Sequence, residues 1–420
     1  MRGDFARYGL LTFASTTASN VLSYAFHFFV SRRLGVDNYG ELSALFATTV
    51  IASVPATFLV IIVVKYAAEF RALGDDARIR ALIGWITVVM GAFAVAALLL
   101  VCAASGAIAG FLHIGDRLAV VLAGFFIAFF LLSPVLRAVL QGVEDFVGFS
   151  ISICIEAGGK AVVGVALVYL GFGIRGALIG SIVGVALAVA YTYFELWRRY
   201  RHAGKLPLYI DVRRLMITSA RVGATTLLMT SLVSTDVLMV KHYFPASSAG
   251  LYSAASLAGK MLLYLVGFVP TVVLPMASNR AASGLRPLPV FLQGTAVLVL
   301  LAGAGLTLYA TFPAGVVGAL AGKAFLRAAP LVLPYGTAMV LIALLNATVN
   351  YKMAIHRFDY VVPLAIITVG EIAAIGAWHG SLQDVIRILI VGNGGAFVIA
   401  LYRIGAPSRI VPKAVKEAVA

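Results

Sequence analysis

The chain has 420 residues, of which 62% are hydrophobic and 12% charged, with a mean hydropathy of +1.01. A soluble domain carries nearer ~45–50% apolar residues, so the composition excludes an ordinary soluble enzyme and indicates a polytopic membrane protein. The net charge of +15 is spread over short segments between apolar runs, which speaks for orientation in a membrane and against nucleic-acid binding.

In chain order, twelve segments approach the ~20 apolar residues that a helical span needs. They lie at 10–30, 41–64, 81–101, 118–140, 150–170, 176–194, 217–240, 251–276, 290–312, 331–350, 361–378 and 388–402. The first is not read as a cleavable signal peptide, because many similar segments follow it and no small-residue cleavage site is evident. Pro55, Pro134, Pro270, Pro330 and Pro334 fall in or at the ends of spans, where kinks are expected. In the sixth span Gly176, Gly180, Gly184 and Ala188 recur every four residues and predict a face for close helix packing. The twelfth span is the weakest, shortened by Arg387 and the run Gly392, Asn393, Gly394, Gly395.

The longest break in this pattern is residues 195–216, ELWRRYRHAGKLPLYIDVRRLM. It sets Arg198, Arg199, Arg201, Lys205, Arg213 and Arg214 against Glu195 and Asp211, so it belongs at the membrane surface. The expected organisation is an N-terminal six-helix bundle (1–196), a basic cytoplasmic linker (197–216) and a C-terminal six-helix bundle (217–420). The halves echo each other. An offset of 210 residues pairs Val30 with Val240, Gly40 with Gly250, Ser43 with Ser253, Ala44 with Ala254, Phe58 with Phe268, Val63 with Val273, Ala67 with Ala277, Ala72 with Ala282 and Gly74 with Gly284. Internal repetition of this kind marks transporters whose halves move against each other.

Counting Lys and Arg on alternate sides of the spans puts 20 on the side of both termini, 8 on the other and 4 within spans. This bias places both termini in the cytoplasm.

The four in-span cations are Arg137, Lys160, Arg221 and Lys260, and the acids to set beside them are Glu156, Asp236 and Glu371. A charge near mid-membrane costs about 2.5–3.5 kcal/mol on insertion scales, so each needs a partner, water or a route to the surface. Arg137 and Arg221 lie about a turn from span ends and can snorkel. Glu156 and Lys160, four apart, have the order of a helical ion pair. Lys260 is deeper and has no acid three or four residues away, so it is expected to line a polar cavity or meet an acid from another helix. Asp236 is the nearest acid on the preceding span, although Lys241 competes for it. Glu371 has no local partner and is a candidate proton or sodium site.

Other chemistries find no support. The sequence has no G-x-x-x-x-G-K-[ST] phosphate loop, no H-E-x-x-H and no clustered histidines. Cys102 and Cys154 sit in apolar runs and read as small core residues. Asp75 and Asp76 after Gly74 read as a solvated turn. No enzyme activity, cofactor or metal is expected.

After the first span comes SRRLGVDNYG (31–40), after the fourth LQGVEDF (140–146), and after the seventh TDVLMVK (235–241) followed by Gly250, Leu251 and Tyr252. With the stretch from Gly322, Lys323, Ala324 and Phe325 to Ala328 and Ala329, these resemble the polysaccharide-biosynthesis flippases (Wzx-type) of the multidrug/oligosaccharidyl-lipid/polysaccharide exporter superfamily. The resemblance implies an all-α integral membrane protein of about twelve transmembrane helices in two pseudo-symmetric six-helix bundles. It also implies flipping of an isoprenoid-pyrophosphate-linked oligosaccharide across the cytoplasmic membrane. Lys260 would then be a cavity cation, with Asn20, Tyr264 and Asn346 candidates to meet sugar hydroxyls. Expected partners are that lipid-linked oligosaccharide, membrane lipids and a polysaccharide polymerase or export component. Two other readings stand beside it: a cation-coupled multidrug exporter of the same superfamily, and a membrane-embedded glycan polymerase.

Overall fold

The computed structural model describes residues 2–204, 206, 212–283 and 285–405, without the side chains of 2–10, 58, 212–219, 268, 271, 272, 275 and 282. Lys205 and Asp211 of the basic stretch, the side chains of Arg213 and Arg214, and Arg409, Lys413 and Lys416 lie outside this description.

The first two passes come from α1 (Arg2–Ala52) and α2 (Val54–Ala72). Within α1 the backbone leaves helical geometry at Gly35 (φ 74°, ψ 179°), a left-handed φ that glycine adopts without steric penalty. The two limbs of α1 fold back on each other there. The rings of Phe26 and Phe46 have centroids 6.1 Å apart, whereas a straight helix would separate them by about 30 Å. The second limb breaks again at Ser53, and Pro55 falls in the first turn of α2, where its missing N–H leaves no gap in the ladder.

Then follow α3 (Asp76–Phe111), α4 (Arg117–Gly142), α5 (Phe146–Leu167), a π-type turn (Val168–Phe172) and α6 (Gly173–Tyr200). Aspartates cap three of these helices. Asp75 accepts from Arg78 N at 2.9 Å, Asp116 from Leu118 N at 3.1 Å and Asp145 from Gly148 N at 2.9 Å. Asp75 is thus a helix cap. In LQGVEDF, Gly142 lets α4 lie on α2, since a Cβ there would stand 2.7 Å from Val64 O.

The second half comprises α7 (Val212–Tyr243), α8 (Ala246–Leu265), α9 (Phe268–Ala282), α10 (Leu288–Thr311), α11 (Pro313–Leu320), a 3-10 turn (Lys323–Ala328), α12 (Ala329–Ala354), α13 (Val361–Ala377) and α14 (Leu382–Leu401). Among the described residues, eight helical stretches are long and apolar enough to cross a membrane. Two of them, Leu11–Ala72 and Phe146–Tyr200, contain a reversal and make two passes each. With α8–α9 and the 17-residue α13 the total reaches twelve. The chain is a multi-pass, all-α membrane protein.

It divides into two compact units, Met1–Thr226 and Leu227–Ala420, with the boundary inside α7. The 210-residue echo reappears in the elements: α2 ends at Ala72 and α9 at Ala282, and the Gly35 reversal corresponds to Pro245, the residue before α8.

In the first unit α5 and α6 form a hairpin sealed by the glycine stripe. A Cβ on Gly159 would stand 2.7 Å from Gly184 Cα, and one on Gly184 would stand 2.5 Å from both Glu156 O and Lys160 N. Gly176, Gly180, Gly184 and Ala188 are all buried, so backbones approach where larger residues would hold them apart. In the second unit, α14 corrects an expectation. It continues unbroken through Gly392 to Gly395, because Val385, Leu389, Asn393, Ala396 and Ala400 bury one continuous face. Arg387 turns outward to Asp384 at 3.1 Å and does not shorten the span.

Candidate functional site

In the first unit, three of the charges within spans, Arg137, Glu156 and Lys160, gather on α4 and α5. Arg137 of α4 donates to Ser133 Oγ at 2.5 Å and forms an ion pair with Glu156 Oε2, to which Ser133 Oγ donates at 2.9 Å. The guanidinium therefore turns to a half-buried acid rather than snorkelling. The expected Glu156–Lys160 pair does not form, because Arg137 and Ser133 occupy the Glu156 oxygen. Lys160 Nζ instead lies 4.5 Å from the ring centroid of Phe26 and 4.7 Å from that of Phe46, brought over it by the fold-back of α1. Phe126 of α4 packs on Phe46 at 5.7 Å and completes the aromatic wall. Two cations and one carboxylate leave this cluster net positive, with the lysine charge held by ring faces.

In the second unit, Asp236 of α7 is 2% exposed. Its Oδ2 accepts from Tyr252 of α8 at 2.8 Å and from Tyr335 of α12 at 2.7 Å. The Tyr335 proton is spent on Asp236, so Ser256, 2.9 Å away, donates to the Tyr335 oxygen. Asp236 is thus held by two tyrosines, one from each of two other helices. Gly259 makes the arrangement possible, since a Cβ there would collide with the Tyr335 ring.

Tyr252, Ser256, Lys260 and Tyr264 recur every four residues along one face of α8. Lys260 is half-buried and makes no hydrogen bond or ion pair among the described residues, but it lies within electrostatic range of Asp236. Tyr264 is 58% exposed. Glu371 of α13 is buried against Gly392 of α14 and also lies within electrostatic range of Asp236. The geometry agrees, because a Cβ on Gly376 of α13 would stand 3.4 Å from Tyr243 Oη and 3.9 Å from Met239 Cε, both of α7. One helical turn or so below these contacts, Asp236 and Glu371 reach similar depth.

The buried acids are incompletely satisfied. Asp236 Oδ1, Glu371 Oε2 and both polar atoms of the fully buried Asn393 have no hydrogen-bond partner. Such groups are costly to leave without a partner inside a membrane protein.

The remaining candidates lie elsewhere. Asn20 and Arg221 are exposed on α1 and α7. Asn346 accepts from Asn350 on its own helix at 2.5 Å. Sequence reasoning missed Ser133, Tyr335, Ser256 and Asn393. A usable signal existed for Asn393, a polar residue inside an apolar span, but the flanking glycines drew the reading towards a helix break.

No family model matches the sequence, and no curated protein matches it. Solved structures do share the fold. An inward-facing multidrug resistance MATE family transporter of the MOP superfamily aligns with TM-score 0.74 at 14% identity, covering 96% of each chain. The lipid II flippase MurJ in an inward closed conformation aligns with TM-score 0.67 at 13% identity, covering 94% of this chain and 87% of that one. A MOP superfamily transporter from Pyrococcus furiosus, described as having a binding pocket of reverse polarity, aligns with TM-score 0.59 at 16% identity over 96% and 95% of the two chains. The fold is therefore that of MOP-superfamily transporters, two pseudo-symmetric bundles of six helices.

Proposed function

We propose that this chain flips an isoprenoid-pyrophosphate-linked oligosaccharide across the cytoplasmic membrane by alternating access, for export of cell-surface polysaccharide, as a transporter and not an enzyme. The observation that carries the reading is the partition of buried charge. The first unit holds Arg137 and Lys160 against a single carboxylate that is already bonded. A pyrophosphate cannot enter a low-dielectric core unless cations replace part of its hydration, and this cluster carries the right sign. An exporter of organic cations would be served by an unpaired acid in the first unit, and Glu156 is not one.

In the second unit, Asp236 and Glu371 supply bare buried oxygens suited to a proton or sodium ion. A cation arriving there neutralises the field that Asp236 exerts on Lys260 and frees the lysine for the substrate phosphates. That exchange links ion entry to substrate binding. Arg221, Asn20 and Tyr264 remain candidates for contact with the headgroup or its sugars. The positive-charge bias supports cytoplasmic termini, and a polymerase or export component is the expected neighbour of such a flippase.

The test is outward accessibility of a lipid-pyrophosphate oligosaccharide in proteoliposomes under a proton or sodium gradient. The intact chain should move it, Lys260→Ala should slow it, and Glu371→Gln should remove its response to the gradient. Efflux of organic cations with no lipid movement would replace this reading by the exporter.

A further inference from the structure

A second site lies in the first unit, away from the charged cluster. The connections after the first, third and fifth passes converge on the face opposite the N-terminus of α1 and border an open cleft of about 680 Å³. That volume is within the usual ~300–1,000 Å³ of small-ligand sites.

Its walls are polar and preorganised. Arg175 Nε and Nη2 clasp the two oxygens of Asp116 at 2.7 and 3.0 Å, a fork that also fixes the turn after α5 to the start of α4. Asn38 spends its amide N–H on Leu34 O at 3.2 Å and presents its carbonyl oxygen from an exposed position. Glu41 lines the same space, and Phe172 is 54% exposed beside it.

The glycines leave the rim bare. Gly171 (φ 97°) and Gly173 (φ 57°) shape the turn through left-handed conformations, and a Cβ on either would meet nothing within 4 Å. Gly115 has neither a positive φ nor a neighbour within 4 Å, so neither turn geometry nor protein packing demands a glycine there. Open backbone beside the clasp is what a ligand lying close against the loops would use.

The charge selects the ligand. Asp116 and Arg175 neutralise each other, and among the described residues the lining holds no other lysine or arginine, so a phosphate finds no available cation there. Paired carboxylate, guanidinium and amide groups match adjacent hydroxyls, and an exposed aromatic face matches the C–H face of a sugar ring.

We propose that this cleft is a saccharide-binding site, which holds neutral sugar residues through Asn38, Glu41 and the Asp116–Arg175 clasp with Phe172 as the stacking platform. The choice of ligand class rests on the proposed function; the cleft itself does not. By the alternation of passes it opens opposite the termini, where a flipped glycan would arrive, so the site receives the sugar portion and not the pyrophosphate.

The experiment is ligand-observed saturation-transfer NMR on the full chain in nanodiscs, with a panel of neutral mono- and oligosaccharides, inorganic pyrophosphate and tetraphenylphosphonium as probes. At least one saccharide should bind. Phe172→Ala and Asn38→Ala, both exposed positions that leave the fold intact, should each weaken it by about tenfold, the loss typical of truncating a central contact. Val162→Ala, on an exposed face of α5, should not change it. Binding of pyrophosphate or the organic cation alone, no binding by any sugar, or sugar binding indifferent to both variants would each overturn the proposal. Transport is scored separately in proteoliposomes. Sugar binding without flipping would sustain this site and sink the flippase reading, and flipping without sugar binding would do the reverse.

Discussion

Replacing Glu156 with glutamine takes the charge partner from Arg137 while preserving shape. The side chains of Arg137 and Glu156 are 12% and 23% exposed, so water screens the pair only weakly. Breaking such a buried pair from one side costs about 3–5 kcal/mol, because the surviving charge is stranded. Ser133 adds to the coupling, since its hydroxyl donates to Glu156 and accepts from Arg137. Arg137→Met should cost a similar amount by stranding Glu156. The double variant strands no charge and should recover about 2 kcal/mol or more of the summed loss. For a folding unit of this size each kcal/mol lowers the melting temperature by roughly 2–4 °C, so each single variant should melt roughly 6–20 °C lower. The assay is thermal unfolding of the purified protein followed by tryptophan fluorescence, with Trp85 of α3 reporting from beside the core of the first unit. Near-neutral single variants, or a double variant equal to the sum of the singles, would refute the assignment of these two side chains as a coupled buried pair.

Gly184→Ala should open the α5–α6 hairpin at a cost of about 1–3 kcal/mol, because the added methyl meets backbone atoms of Glu156 and Lys160. Gly158→Ala on α5, with nothing within 4 Å, should be neutral or gain about 0.4–1 kcal/mol in the same melting assay. Lys352, 1% exposed, donates to Asp359 at 3.0 Å and to Tyr402 O at 2.8 Å, tying the end of α14 to the connection before α13. Lys352→Ala should destabilise that end by about 1–3 kcal/mol and speed hydrogen exchange at the last turn of α14. The Asp116 carboxyl is held below its usual range by the hydrogen bond from Arg175. Its stabilising contribution is therefore present above pH ~3.9 and lost only as the pH falls through the lowered value. Arg175→Gln should reduce that acid dependence, the backbone hydrogen bonds of the helix cap sustaining the rest, read as melting temperature against pH.

Much of the fold was legible because membrane spans are written in runs that one pass along the chain can find. Gly176, Gly180 and Gly184 announced a close-packed face by spacing alone, and a Cβ on Gly184 would indeed meet the α5 backbone. What local spacing could not announce was which helix stands next to which. Glu156 and Lys160 have the right offset for a pair, but the fold-back at Gly35 brings two phenylalanines to the lysine, and α4 brings Arg137 to the acid. Asp236 finds Tyr335 across 99 positions of sequence, a distance no periodicity spans. The isolation of Lys260 and Glu371 was legible for the converse reason, since neither has an opposite charge on its own helix. Asn393 was hidden by its glycine neighbours, whose cost to a helix is offset here by the buried face of α14.

The measurement closest to the central claim compares three cargoes in one proteoliposome preparation of the intact chain: a lipid-pyrophosphate oligosaccharide, the same glycan on a lipid without the pyrophosphate, and an organic cation. The account predicts outward movement of the first, with the second at least tenfold slower because nothing engages the buried cations, and no movement of the third. Equal movement of charged and neutral glycolipids, or transport of the organic cation alone, would contradict the role assigned to Arg137, Lys160 and Lys260.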